Sequence, residues 1–308
     1  MRKVISISML MLLLVHCGCG SKETDREDRA EPPVAPRKAS KEQMGLIGPV
    51  QSVTSETARL SNESGEWVEG PRVLSAKVSF DRKGNMREEC WYDASGSLDF
   101  KVVFTYDAKA NMREVVRCDA EDSLLEKFVY SYDQKGRLTG MGCCDPDGRL
   151  KEKGHYAYDS RGNMTRYALH DANGFLVRRE VHSYDRNGNR TQTVWYDGSN
   201  TLEWEEVLTY DRKGNVVEEF RFSYDSNGSL LRKDVSSYDA KRRITAETSY
   251  RADGSLRDKY TYFYEYDSYG NPIKQTRSEL VQKNGKSSFV PVSVTYFSIT
   301  YYPEGGKP

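Results

Sequence analysis

The chain has 308 residues, with 46 Lys plus Arg balanced by 46 Asp plus Glu. With no basic surplus there is no electrostatic case for nucleic acid, and with no acidic surplus none for a solvating tail. Mean hydropathy is low, at -0.76 with 30% charged residues, yet 21 Tyr make the chain too aromatic for a disordered one.

Residues 1–19 read as a processing segment. Arg2 and Lys3 precede a short apolar run, Val4 to Val15, too short for a spanning helix of about 20 residues. The run ends at His16-Cys17-Gly18-Cys19, which resembles a bacterial lipoprotein signal, with Cys19 as the lipidated residue and Cys17 as the alternative. Residues 20–46 are charged, carry Pro32, Pro33 and Pro36 and have few apolar residues, the composition of a flexible tether.

From Phe80 onward an aromatic-Asp-x-x-Gly phrase recurs at Phe80, Tyr106, Tyr132, Tyr158, Tyr184, Tyr210, Tyr238 and Tyr266, with spacings of 26 and then 28. A second phrase lies within each period, at Tyr92, Cys118, Cys144, His170, Tyr196, Tyr224 and Tyr250, each followed six residues later by Leu. A fixed period of this length marks a repeat architecture. Asp opens a type I turn and Gly takes the left-handed position that closes a hairpin with a bulge. Segments rich in Val, Tyr, Phe and Thr separate the turns and predict strands. The expectation is all-β: an antiparallel meander of about 17 hairpin-linked strands in one twisted, coiled or rolled sheet.

Both phrases sit at even-numbered positions, as do the residues six later, so strict alternation places both aromatic rows on one face. The same register pairs Arg166 with Glu180, Glu89 with Lys101, Glu205 with Arg221 and Glu152 with His170. Alternating strands of 8 and 10 residues add stagger, which tilts strands as in a barrel or spiral. Mid-strand charges on both faces, Glu88, Glu114, Glu126, Glu152, Arg166, Arg178 and Arg232 among them, oppose a membrane-spanning barrel, which needs an apolar outer band. An open meander also leaves two edge strands, a route to assembly between copies.

Cys90 and Cys118 fall on opposite sides of Phe100, two strands and about 9.6 Å apart, beyond disulfide reach. Cys143 and Cys144 complete a set expected as free or poorly bridged thiols. His155 and His182 have opposite parity and go to opposite faces. No Cys–His spacing marks a metal site, no Gly-rich loop a phosphate site and no motif a cofactor. The Asp-x-Asn-Gly turns at Asp185 and Asp225 lack the terminal bidentate carboxylate of a calcium loop. Tyr rows can stack on sugar rings but first explain hairpin stapling.

The phrases Tyr132-Asp133-Gln134-Lys135-Gly136-Arg137-Leu138 and Tyr184-Asp185-Arg186-Asn187-Gly188-Asn189 resemble the YD repeats of the Rhs family, over roughly residues 76–275. That resemblance implies β-hairpins winding into a shell outside the cytoplasm, with an encapsulating or adhesive role. This chain's long period, few repeats and lack of any toxin-like segment after Tyr266 set encapsulation aside. The chain is therefore expected to comprise a signal peptide (1–19), a tether (20–46), a repeat domain (47–302) and a tail (303–308). The function expected is that of a non-catalytic, lipid-anchored scaffold on the bacterial outer membrane, presenting its sheet to a protein or glycan. The alternative is a carbohydrate-processing or toxin-associated component using Glu126 and Glu152.

Overall fold

The computed structural model describes residues 40–283 and 285–303; the lipidation candidates Cys17 and Cys19 lie outside them. Every element among the described residues is a strand. They are β1 (Val50–Glu63), β2 (Glu66–Glu69), β3 (Val73–Phe80), β4 (Met86–Tyr92), β5 (Leu98–Tyr106), β6 (Met112–Asp119), β7 (Leu124–Tyr132), β8 (Leu138–Cys144), β9 (Leu150–Tyr158) and β10 (Met164–Asp171). There follow β11 (Leu176–Tyr184), β12 (Arg190–Asp197), β13 (Leu202–Tyr210), β14 (Val216–Tyr224), β15 (Leu230–Tyr238), β16 (Ile244–Arg251), β17 (Leu256–Tyr266), β18 (Pro272–Lys283) and β19 (Lys286–Tyr301).

The turns use the expected chemistry. At the β5–β6 turn, Asp107 Oδ1 accepts the amides of Lys109 and Asn111, each at 2.8 Å, and Oδ2 accepts Asn111 Nδ2 at 3.0 Å. The closing position is left-handed, φ +83° at Gly84 of the β3–β4 turn, which glycine adopts without strain, and φ +60° at Ala110 of the β5–β6 turn. Eight such turns form a first rim and the seven turns between them a second.

The meander does not stay open. β1 pairs with β19 along Val50–Arg59 and with β3 along Ser52–Thr57, so it stands between the last and first strands of the repeat. The result is a closed antiparallel barrel of 18 strands, with β2 extending β1 beyond the ring. This corrects the expectation of a twisted or rolled single sheet. It also removes the two edge strands on which assembly between copies would rest. The physical reason is β1, which carries neither phrase but supplies backbone partners to both free edges.

A second correction concerns the faces. Phe80 pairs with Met86, as expected, but Ser79 pairs with Glu88, so Arg87 is an extra residue. Similar bulges recur along the meander; at the next one Tyr106 pairs with Met112 but Thr105 with Glu114, leaving Arg113 as the extra residue. Each bulge inverts the parity of the strand beyond it. Burial therefore steps by three across it, from Met86 to Glu89, Met112 to Val115 and Leu138 to Met141, all six of them buried. The second phrase therefore faces outward, and a further bulge near the second rim, where Trp91 pairs with Phe100 and Tyr92 with Leu98, returns Phe100 to the inside. The two aromatic rows thus occupy opposite faces, the first phrase lining the lumen and the second the outer wall. Leu150 and Leu256, partners of the second phrase, are exposed accordingly.

Inside, Phe80, Phe100, Val102, Phe104, Phe128 and Tyr130 belong to one core cluster that runs from β19 through β1 and β3 to β10. Outside, β9 presents Lys151, Lys153, His155 and Ala157, all exposed, a water-facing and not a lipid-facing wall.

Residues 40–48, placed mainly in the tether by sequence, close the first rim. Lys41 donates its amide to the Gly84 carbonyl at 3.0 Å, and Gly45 lies against the Lys241 carbonyl. Ile47 and Asn271 exchange two hydrogen bonds, at 2.7 and 2.8 Å. Leu46 is 3% exposed within the core cluster. Four residues of chain reach at most about 14 Å, so the turns at Gly84 and Lys241 are drawn close across this rim. Residues 40–46 are therefore part of the folded body and not of a tether.

Candidate functional site

The first phrase builds a ladder around the inner wall at the capped rim. Tyr106, Tyr132, Tyr158 and Tyr184 each donate a hydroxyl to the carbonyl that opens the preceding strand: Met86, Met112, Leu138 and Met164, at 2.7–2.8 Å. Tyr210 does the same to Arg190 at 2.5 Å, and on β17 Tyr264, two residues before the phrase residue Tyr266, donates to Ile244 at 3.0 Å. At the seam Tyr302 donates to the Phe80 carbonyl at 2.6 Å. Tyr238 departs from this pattern and donates to Glu219 Oε2 at 2.7 Å.

That departure marks a change in the wall. From β11 to β18 the inward positions are largely charged. Arg190 donates to Glu206 at 2.5 Å, Arg221 pairs with Glu219 at 2.5 Å and Arg232 with Asp234 at 2.7 Å. Tyr262 donates to Glu247, and the Arg277 guanidinium lies 3.6 Å from the centre of the Tyr260 ring. Arg221 and Arg232 keep 33% and 42% of their side chains exposed, so water reaches this half of the lumen. Arg178, Arg190, Arg221, Arg232, Arg251 and Arg277 stand among Glu180, Asp197, Glu206, Glu219, Asp234, Glu247, Asp258 and Glu279, so the two signs nearly balance.

All four Trp lie at or beyond the second rim. Trp91 stacks on Phe100 with centroids 5.9 Å apart. Trp195 and Trp204, directly paired across β12 and β13, lie 5.6 Å apart. Trp67, on the β1–β2 hairpin beyond the rim, is 44% exposed. Neither repeat phrase includes these residues, so a reading built on the phrases misses them. Their one signal in the sequence is position: Trp91 and Trp195 immediately precede the aromatic residue of the second phrase.

The expected site residues are placed differently from the sequence register. Glu126 faces the lumen and pairs with Arg117 at 3.6 Å. Glu152 lies across from Cys143, and with Glu126 it helps hold that thiol at about 12, after the larger effect of burial. His170 lies across from Lys153, not Glu152; Arg166 across from Val181, not Glu180; Lys101 across from Cys90, not Glu89; and Arg221 across from Glu206, not Glu205. Every discrepancy is one residue, the length of the bulge. Cys90 and Cys118 accordingly flank Lys101 and not Phe100, and Cys90, Cys118, Cys143 and Cys144 are all free.

His182 and His155 do lie on opposite faces. His182 is buried, 3.0 Å from Thr193 Oγ1, and its pKa is pulled down to about 4 by burial and then by Arg190. His155 meets His170 edge to face at 5.7 Å on the outer wall, beside a shallow recess of about 320 Å³ with Lys153 and Leu150. Asp185, read from sequence as a turn cap, commits Oδ1 to the amides of Asn187 and Asn189 and Oδ2 to Asn189 Nδ2, at 2.8–2.9 Å.

No protein-family model and no curated protein sequence matches the chain. Among solved structures it is similar to a porin-like protein from Bacteroides uniformis, at 10% identity and a TM-score of 0.40, over 83% of this chain and 98% of that one. It is also similar to a putative outer membrane lipoprotein-sorting protein domain from Vibrio parahaemolyticus, at 12% identity and a TM-score of 0.24, over 87% and 91%. A third similarity, to TcdB2-TccC3 without its hypervariable C-terminal region, has 11% identity and a TM-score of 0.24, over 82% of this chain and 18% of that one. Identities and TM-scores this low assign neither a family nor an activity.

Proposed function

We propose that the chain is a non-catalytic binding module of the bacterial cell envelope, held to the outer membrane by a lipid on Cys19 and offering its second rim to a glycan or protein. One observation carries this reading. The described chain enters at Ser40 and leaves past Tyr302 at the capped rim, where Lys41 bonds to Gly84 and the Tyr302 amide to Pro49. The opposite rim consists of turns and two long hairpins and bears the tryptophans. A body tethered at one end and aromatic at the other is suited to recognition away from its anchor. The Tyr-Asp-x-x-Gly repetition supports a place among YD-repeat proteins of the envelope.

Two measurements test the reading. Metabolic labelling with a fatty acid is expected to mark the wild-type chain and the Cys17→Ala variant but not Cys19→Ala; labelling of Cys19→Ala alone would move the anchor to Cys17. Glycan-array and pull-down experiments with the full chain are expected to return a ligand sensitive to changes at the second rim. Hydrolysis of a polysaccharide, lost in Glu126→Gln or Glu152→Gln, would replace the non-catalytic reading with the carbohydrate-processing one.

A further inference from the structure

The charged half of the lumen has chemistry that hairpin stapling does not require. Its guanidinium and carboxylate groups alternate in sign along the inner wall, so a charged ligand would meet as much repulsion as attraction. Its donors and acceptors instead suit a neutral ligand whose groups both donate and accept, which is the chemistry of hydroxyls. Beside these groups, at the second rim, lies the paired platform of Trp195 and Trp204. Aromatic faces of this kind provide flat apolar area against the C–H face of a sugar ring. Glu206 ties the two features together, since it lies two residues from Trp204 on the same strand and face and accepts from Arg190.

A second observation points the same way. The hydroxyls of Tyr156 and Tyr167 are buried with no hydrogen-bond partner among the described residues, although their rings pack together at 4.8 Å. Tyr167 is 2% exposed, and both rings lie close enough to Arg178 and Glu180 to feel their charge. Buried hydroxyls normally find a partner, and these two adjoin the charged half of the lumen.

The geometry points to a trough for a neutral oligosaccharide in the lumen between β11 and β18, entered at the second rim over Trp195 and Trp204. This deepens the proposed binding role and rests on it. The ligand stacks one ring on the tryptophan pair and directs its hydroxyls to the Glu206–Arg190 pair.

Tryptophan fluorescence of the full chain, titrated with malto-, cello-, xylo- and N-acetylated chito-oligosaccharides, tests this. At least one series is expected to give a saturable change, weakened about tenfold by Trp204→Ala, the effect of losing one stacked ring. Phe263→Ala, on the outer wall of β17, is expected to bind as the wild type does. Should Trp204→Ala fail to fold, Glu206→Gln, which keeps shape and removes charge, is expected to weaken binding to a similar degree. Binding unchanged in both lumen variants would place the sugar elsewhere and overturn the trough. Binding of acidic oligosaccharides alone would overturn its neutral character. A purified protein partner, with no oligosaccharide bound, would overturn the trough and leave the binding role standing; silence in both would end both.

Discussion

Two side chains show how single residues set the stability of this wall. Tyr132 is held half-buried with its hydroxyl 2.7 Å from the Met112 carbonyl, and burial raises its pKa to about 12. Tyr132→Phe keeps the ring and removes the bond, so a loss of about 1 kcal/mol is expected in chemical denaturation. Glu89 is 2% exposed, and burial raises its pKa to about 8 against a smaller opposing effect from the Trp91 indole, which donates to it. Its folded pKa is raised above the ordinary 4.5, so the folded state keeps a proton that the unfolded chain releases. The contribution of Glu89 to stability is then greatest below about pH 4.5 and is lost as pH rises to about 8. Glu89→Gln is expected to flatten that slope and to stabilise the protein at pH 8 by a few kcal/mol. Melts at about pH 5 and about pH 8 on both proteins check it; a parallel slope in the variant would rule Glu89 out as its source.

At the scale of the element, the deciding feature is one added residue per hairpin. The strands and turns were legible because Asp-x-x-Gly carries its own mechanism, and the pairing of Phe80 with Met86 followed from it. The bulge beyond was not, because Arg87 and Arg113 are ordinary exposed residues whose effect appears only in the positions after them. Apolar residues three apart, Met112 and Val115 or Leu138 and Met141, were its trace, and strict alternation overlooks them. Pairings inferred across the bulge, such as Arg166 with Glu180, therefore failed by one place, while the opposite placement of His155 and His182 survived. Deleting Arg113 would bring Met112, Glu114 and Val115 into simple alternation, removing the bulge while Val115 still faces in and Glu114 out. A loss of about 1–3 kcal/mol, from the lost local bend and twist, is expected by thermal melting, whereas Arg113→Ala, which keeps the backbone, should cost about 0.5 kcal/mol or less. Equal effects from the two changes would deny the bulge its role.

For the whole molecule, closure depends on segments outside the repeat. β1 and the cap at residues 40–48 carry neither phrase, which is why the sequence suggested an open or rolled sheet and a tether reaching to residue 46. Tilt was foreseeable from the stagger, but closure required a strand whose only sign is a long β-prone run. The candidate site was legible only in part. Charged mid-strand residues were evident, but their gathering on one half of a lumen depended on the bulges and the ring together. Leu46 joins the cap to the core at 3% exposure. Leu46→Ala is expected to cost about 2–4 kcal/mol, measured by denaturant titration, and a loss under about 0.5 kcal/mol would mean that the cap contributes nothing to the core.

The seam between β1 and β19 also governs the order of events in time. β1 is made early and β19 last, with Val50 pairing with Tyr301 across nearly the whole described chain. No stretch of nascent chain can complete the ring, however many hairpins it has formed, because the first strand waits for the last. Contacts of such separation are slow to form, so an unfinished chain remains an unclosed ribbon of hairpins. A protein destined to cross a membrane unfolded would gain from that delay: its closed shape becomes available only once β19 has been made.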